Sequence, residues 1–154
     1  MLFRSYLMKK ISIRSNPEYD YPNKDLCISI IKNIFKFNKI NLYDISIIFT
    51  SDIFVSDLKK KFFSKNQWTD VIAFPLHDNK DTKIEGDIYI SMPTAKENAN
   101  KYNEPYEKEV ARLVIHGVLH LIGFYDDTKK GKDIMSKIED RLLKETKWED
   151  LFEK

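Results

Sequence analysis

The segment His116-Gly117-Val118-Leu119-His120-Leu121-Ile122-Gly123-Phe124-Tyr125-Asp126 restricts the folds open to this chain more than any other stretch. On a helix, residues i and i+4 lie on one face about one turn apart, so both imidazoles can point at the same spot. Val110, Leu113, Val114, Val118 and Leu121 form an apolar stripe that demands burial, while His116 and His120 share an adjoining face. Gly123 marks the helix end, because glycine takes the left-handed conformation that stops a helix and turns the chain. The turn lets Asp126 fold back and offer a carboxylate oxygen to the two histidines. Three protein donors leave an ion with one open position, which separates a catalytic site from a closed structural one. The same histidine spacing also occurs in partly buried pairs with satisfied hydrogen bonds. Here, however, two of the chain's three histidines share the segment with a helix-ending glycine and an acid. His77, within Leu76-His77-Asp78-Asn79-Lys80-Asp81, reads as a solvated loop residue.

Around this segment the chain alternates strands and helices, with no linker, repeat or low-complexity tract. Ile11 and Ile13 alternate with polar neighbours in a strand over residues 10–14, broken by Asn16-Pro17. Leu26, Ile30, Ile34 and Phe37 recur at helical spacing over 22–37. Ile45-Ser46-Ile47-Ile48-Phe49 is a β-branched second strand, and Thr50 or Ser51 caps a helix that follows it through Phe62. Further strands are expected at 71–74, closed by Pro75, and at 87–91. Pro93 suits the start of a helix running to about Tyr102, and Pro105 opens the histidine helix. A last helix over 130–144 carries Ile134, Ile138, Arg141 and Leu142. The order predicts an α+β fold, with one mixed four-stranded sheet flanked by helices and the metal-binding helix facing a cleft beside strand 87–91. A length of 154 residues with 42% hydrophobic content suits a single domain over residues 1–154.

Composition narrows the setting. No apolar run approaches the roughly 20 residues that span a bilayer, and the first ten residues lack a long apolar stretch followed by a cleavage site, so neither a membrane segment nor a signal peptide is expected. The single cysteine, Cys27, has no internal disulfide partner and reads as a reduced packing residue, which points to the cytoplasm. A net charge of +2 does not mark a nucleic-acid binder by itself. Clustering says more: Lys59, Lys60, Lys61 and Lys65 bracket Phe62-Phe63 and precede Trp68, while Lys129, Lys130 and Lys132 follow Asp126. Cations beside aromatics suit a single strand with unstacked bases. Equally, the aromatics can pack in the core while the lysines coat the surface.

The histidine segment resembles the signature H-G-x-L-H-L-x-G-Y-D-H of the YbeY family of metal-dependent endoribonucleases. His116, Gly117, Leu119, His120, Leu121 and Gly123 fall on their places in it. Phe124 takes the Tyr place, Tyr125 the Asp place and Asp126 that of the last His, so the third ligand changes from His to Asp, which is an acceptable zinc ligand. Thr69-Asp70-Val71-Ile72-Ala73-Phe74-Pro75 is similar to the family's T-[DN]-V-L-S-F-P, and Gly86-Asp87-Ile88-Tyr89-Ile90 to its G-D-I-x-I strand. Met135 and Glu139 fall where the family places a Met and a Glu on its last helix, so the resemblance covers about residues 58–143. Where the family commonly carries an Arg before the Thr-Asp pair, this chain has Phe63, with Lys61 and Lys65 the nearest cations for a phosphate.

The resemblance implies a zinc-metalloprotease-like arrangement and a single-strand-specific endoribonuclease of 16S ribosomal RNA 3′-end maturation and ribosome quality control. Ribosomal RNA and the small ribosomal subunit would be its partners. One divalent ion, zinc first, would be held by His116, His120 and Asp126. Asp70 and Asp87 are candidates to accept a proton or orient a ligand histidine. Proteases with H-E-x-x-H carry a glutamate after the first histidine as general base, and Gly117 occupies that place here, which turns the expectation from peptide to phosphodiester. Two other classes stay open: a ribosome-associated RNA-binding factor with a structural metal, and a metallohydrolase of peptides or small molecules.

Overall fold

The computed structural model of the protein describes residues 9–63, 70–77 and 83–153. Four strands, β1 (Lys9–Ser15), β2 (Leu42–Thr50), β3 (Val71–Pro75) and β4 (Lys83–Ser91), pair into one sheet in the order β1-β2-β4-β3. β1 and β4 run parallel to β2, and β3 runs antiparallel to β4. The described residues also form helices α1 (Lys24–Phe37), α2 (Asp52–Phe63), α3 (Met92–Lys101), α4 (Tyr106–Leu121) and α5 (Lys129–Lys144), then a short 3-10 helix at Trp148–Asp150. This is the expected α+β fold with one mixed four-stranded sheet.

Because strand side chains alternate between faces, the β-branched runs decide which side is buried. Ile45, Ile47 and Phe49 of β2 and Ile84, Ile88 and Ile90 of β4 form one buried face with helices α1 and α4 packed in the same core. The intervening residues Asp44, Ser46, Asp87 and Tyr89 take the other face. There α2 covers one end, with Phe54 against Tyr89 and Phe62 against Phe74.

α4 is anchored by Val110, Leu113, Val114, Ile115, Val118 and Leu119, all almost wholly buried. Fully burying such a side chain contributes about 1.5–3 kcal/mol, so apolar packing sets the position of the histidine helix. Gly117 lets that helix come close to the sheet: a Cβ there would lie 2.6 Å from Ile88 Cγ2 and 3.2 Å from Val71 Cγ2.

Several expectations shift in detail. α1 starts at Lys24 rather than at Pro22, because Asn23 Oδ1 accepts the Leu26 N–H and caps it. Of the two caps expected for α2, Ser51 is the one used, accepting the Phe54 N–H, since Thr50 is still paired in β2. On α5 the buried positions are Met135, Glu139, Leu142 and Leu143, and Ile134 is exposed. The cleft borders β3, not strand 87–91: β4 is paired on both edges, and β3 is terminal in the sheet. His77 is half-buried rather than solvated, with Nδ1 2.9 Å from the Glu85 carbonyl oxygen and 3.1 Å from its nitrogen. Unanticipated is the C-terminal turn, where Leu151 is fully buried and its carbonyl accepts the Asn23 N–H.

Candidate metal centre

The end of α4 builds the centre. Gly123 N–H donates to the His120 carbonyl and Phe124 N–H to that of Leu119, with Gly123 at φ 107°. This is the Schellman closure, and it satisfies two carbonyls the helix would otherwise leave open. A Cβ at Gly123 would meet nothing within 4 Å, so backbone conformation alone selects glycine there.

The reversal carries Asp126 back to the histidines. Its Oδ2 lies 3.4 Å from His116 Nε2 and its Oδ1 3.2 Å from His120 Nε2. All three donor atoms fall within 4.8 Å of one another. Two donors each about 2.0–2.2 Å from a tetrahedral zinc are separated by about 3.3–3.6 Å. The imidazole–carboxylate separations of 3.4 and 3.2 Å, one to each oxygen of Asp126, are close to that edge, and the set with one atom from each residue lies within 4.8 Å, so the donors fit a divalent ion in chemistry and need only a modest closing in spacing.

Behind the donors lies a buried polar relay. His116 Nδ1 sits 2.6 Å from Glu139 Oε2. With Nδ1–H donating to that carboxylate, Nε2 keeps its lone pair directed at the centre. Glu139 and Glu109 are only 5% and 6% exposed, which is tolerable for carboxylates only when they are paired. Arg112 pairs both: Nε and Nη2 grip the two oxygens of Glu109 at 2.8 and 2.7 Å, and Nη1 reaches Glu139 at 3.4 Å. Asn98 of α3 extends the relay, donating to Glu109 at 3.3 Å and to Asp70 at 3.0 Å.

Charge follows from this arrangement. At His116 burial disfavours the protonated ring, but the hydrogen bond to Glu139 and the charges of Glu139 and Asp126 outweigh it and raise the pKa above its ordinary value. At His120 burial, with the neighbouring His116 charge, prevails over Asp126 and lowers it. Arg112 loses by burial but is held well above its usual range by Glu109, Glu139 and Asp70.

Of the residues singled out in the sequence, His116, His120 and Asp126 converge. Asp70 does not touch a ligand histidine and joins the centre only through Asn98, Glu109, Arg112 and Glu139. Asp87 lies on the sheet face opposite α4, since it alternates with Gly86 and Ile88, which face Leu121 and Gly117. Lys59, half-buried, borders the cleft beside His116 and His120, whereas Lys61 is exposed with Nζ over the Phe62 ring. Residues two positions apart on a helix point about 200° from one another, so Lys59 and Lys61 face different ways. Lys65 and Trp68 lie outside the described residues.

A side chain on Gly117 would run into Ile88 and Val71, so a protease-type glutamate has no room there. Glu109, Arg112 and Glu139 escaped the sequence reading as site residues. Their signal was present: Glu109, Arg112, His116 and His120 form a second, polar stripe along α4, and Glu139 interrupts the buried stripe of α5.

The chain is similar to known proteins in both sequence and fold. The family model described as Endoribonuclease YbeY matches residues 11–147. The Endoribonuclease YbeY of Christiangramia forsetii is 36% identical over 129 residues, 83% of this chain and 84% of the relative. That of Karelsulcia muelleri is 38% identical over 110 residues, 71% of this chain and 76% of the relative. A solution structure of a Thermotoga maritima protein is similar with a TM-score of 0.58 at 25% identity, covering 88% of this chain and 90% of that one. No helix among the described residues is long and apolar enough to cross a membrane.

Proposed function

This chain belongs to the YbeY family of endoribonucleases, and we propose that it is a single-strand-specific, metal-dependent endoribonuclease of ribosomal RNA. Its substrate in this reading is the 3′ end of 16S ribosomal RNA on the small ribosomal subunit in the cytoplasm, in maturation and ribosome quality control, with residues 1–154 acting as one hydrolase domain. The observation that supports it most is the convergence of His116 Nε2, His120 Nε2 and the Asp126 carboxylate at the mouth of a cleft.

His116, His120 and Asp126 would hold one divalent ion, zinc first by donor chemistry, and when bound it supplies Lewis acidity toward water and a phosphoryl oxygen. The chain's own residues do the rest. Glu139 holds the His116 tautomer and ring orientation through Nδ1. Arg112 pairs with Glu139 and holds it in place, and Asp70 steadies that relay from its far end. Lys59 meets the charge of a phosphate entering the cleft. Val71, Ala73 and Pro75 of β3 form an apolar wall that limits water beside the reacting group. The cleft, of about 350 Å³, accepts a nucleotide from an unpaired strand without a duplex having to open.

Metal content and cleavage of single-stranded RNA test the reading in the wild type, His116→Ala and Asp126→Ala. Each substitution is expected to strip the metal and abolish cleavage. Unchanged metal and activity in both variants would remove the site.

A further inference from the structure

Tyr125 is 56% exposed, although its neighbours are committed: Phe124 packs against the core and Asp126 converges with the histidines. Its ring stands edge to face with that of His120, centroids 6.1 Å apart. It also borders two hollows. One is the histidine cleft; the other, of about 420 Å³, has Leu121, Ile122 and Phe124 among its apolar walls and Asn38 and His77 among its polar groups. The two share Tyr125 and Pro75, so an extended ligand seated at the histidines passes Tyr125 to reach the second hollow.

The backbone beneath the ring is held on both sides. Upstream lies the Schellman closure of α4. Downstream, Thr128 Oγ1 accepts the Gly131 N–H, and the first turn of α5 presses so closely that a Cβ on Gly131 would collide with the Tyr125 carbonyl oxygen. A ring on a fixed backbone loses less freedom when a ligand settles on it.

We propose that Tyr125 is a stacking platform for a nucleobase and that the hollow behind it is a nucleobase subsite next to the phosphate being cut. The proposal rests on the nuclease reading above and names how that site selects its substrate. Every base offers a π-face to an aromatic ring, but in a duplex both faces are already stacked, so the platform favours an unpaired strand. Leu121, Ile122 and Phe124 give a base plane an apolar surface to rest on, and the polar part of the lining, which exceeds the apolar part, faces its hydrogen-bonding edge. Lys59 on the histidine side supplies the phosphate charge, giving the pairing of cation and aromatic that single-strand grooves use. Tyr125 stands where the resembled signature has Asp, so the platform belongs to this chain's own sequence.

The test uses zinc-loaded wild type, Tyr125→Phe and Tyr125→Ala. Binding is read by fluorescence anisotropy on a 2′-O-methylated single-stranded oligonucleotide, and KM and kcat on the matching RNA, with a single abasic nucleotide walked along the strand. Tyr125→Ala is expected to weaken binding and raise KM by about 5- to 150-fold, with zinc content and kcat unchanged and Tyr125→Phe like wild type. An abasic nucleotide at one position should reproduce that loss in wild type and add little in Tyr125→Ala. Unchanged binding and KM in Tyr125→Ala, or an abasic penalty that persists undiminished in it, overturns the subsite while leaving wild-type cleavage intact. Tyr125-dependent binding by a wild type that does not cut would instead sink the nuclease reading and support the subsite.

Discussion

Glu139 illustrates what a single buried carboxylate does to a neighbouring ring. It accepts from His116 Nδ1 at 2.6 Å and, with Asp126, raises the His116 pKa against the opposing effect of burial. A proton on His116 Nε2 competes with a metal for the same lone pair. Because the pKa lies above the model-peptide value of about 6.5, competition begins above that pH and grows as pH falls. Zinc affinity is therefore expected to be full on the alkaline side and to drop as the solution is acidified toward and below the ordinary imidazole value. Glu139→Gln removes the charge, so the midpoint should move to lower pH, while loss of orientation weakens alkaline zinc binding by about 10- to 100-fold. Zinc titrations across pH check both parts, and an affinity independent of pH in wild type would contradict the assignment. His116, His120 and Asp126 were legible in the sequence because their spacing is local: a helix turn and a glycine stop are written within eleven residues. Glu139 was legible only as a matched position on a distant helix, because its contact with His116 spans 23 residues of sequence and depends on how α4 and α5 pack.

At the scale of elements, the cleft is made by how closely α4 descends on the sheet. Gly117→Ala would place a methyl 2.6 Å from the stiff, β-branched Ile88 and 3.2 Å from Val71. Overpacking of this kind typically costs about 1–3 kcal/mol, while alanine gains about 1 kcal/mol of helix propensity over glycine. A net loss of up to about 2 kcal/mol is expected in denaturant unfolding; a variant more stable than wild type would show that the helix has slack there. Helix and strand identities were readable because periods of 2 and 3.6 are properties of short windows. Sheet order was not. Nothing within residues 71–75 says that they lie outside residues 83–91 rather than between other strands, and that order decides that β3 walls the cleft. Asp87 turns to the face away from α4 because strand side chains alternate and its neighbours Gly86 and Ile88 face that helix.

For the whole molecule, the question is whether a metal would hold the fold or merely occupy it. The core around α4 is apolar and continuous with β2, β4 and α1, so apolar burial rather than the donors holds the fold together. A ligand at 100 times its Kd stabilises by about 2.7 kcal/mol, and for a chain of this size each kcal/mol shifts the melting midpoint by about 2–4 °C. Chelation is therefore expected to abolish cleavage and lower the midpoint by about 5–10 °C, with the far-ultraviolet circular dichroism of the native state unchanged. Loss of that dichroism would make the metal structural. What the amino-acid order alone determined is the set of local structures: the amphipathic histidine helix, its glycine stop, the returning aspartate, and strands with one apolar face. These follow from backbone sterics and side-chain periodicity within a few turns of chain. Only tertiary packing decided that Glu139 and Arg112 support the histidines, that Lys59 rather than Lys61 borders the cleft, and that β3 stands opposite them. Those relations join segments far apart in sequence, and burial of the shared core is what brings them together.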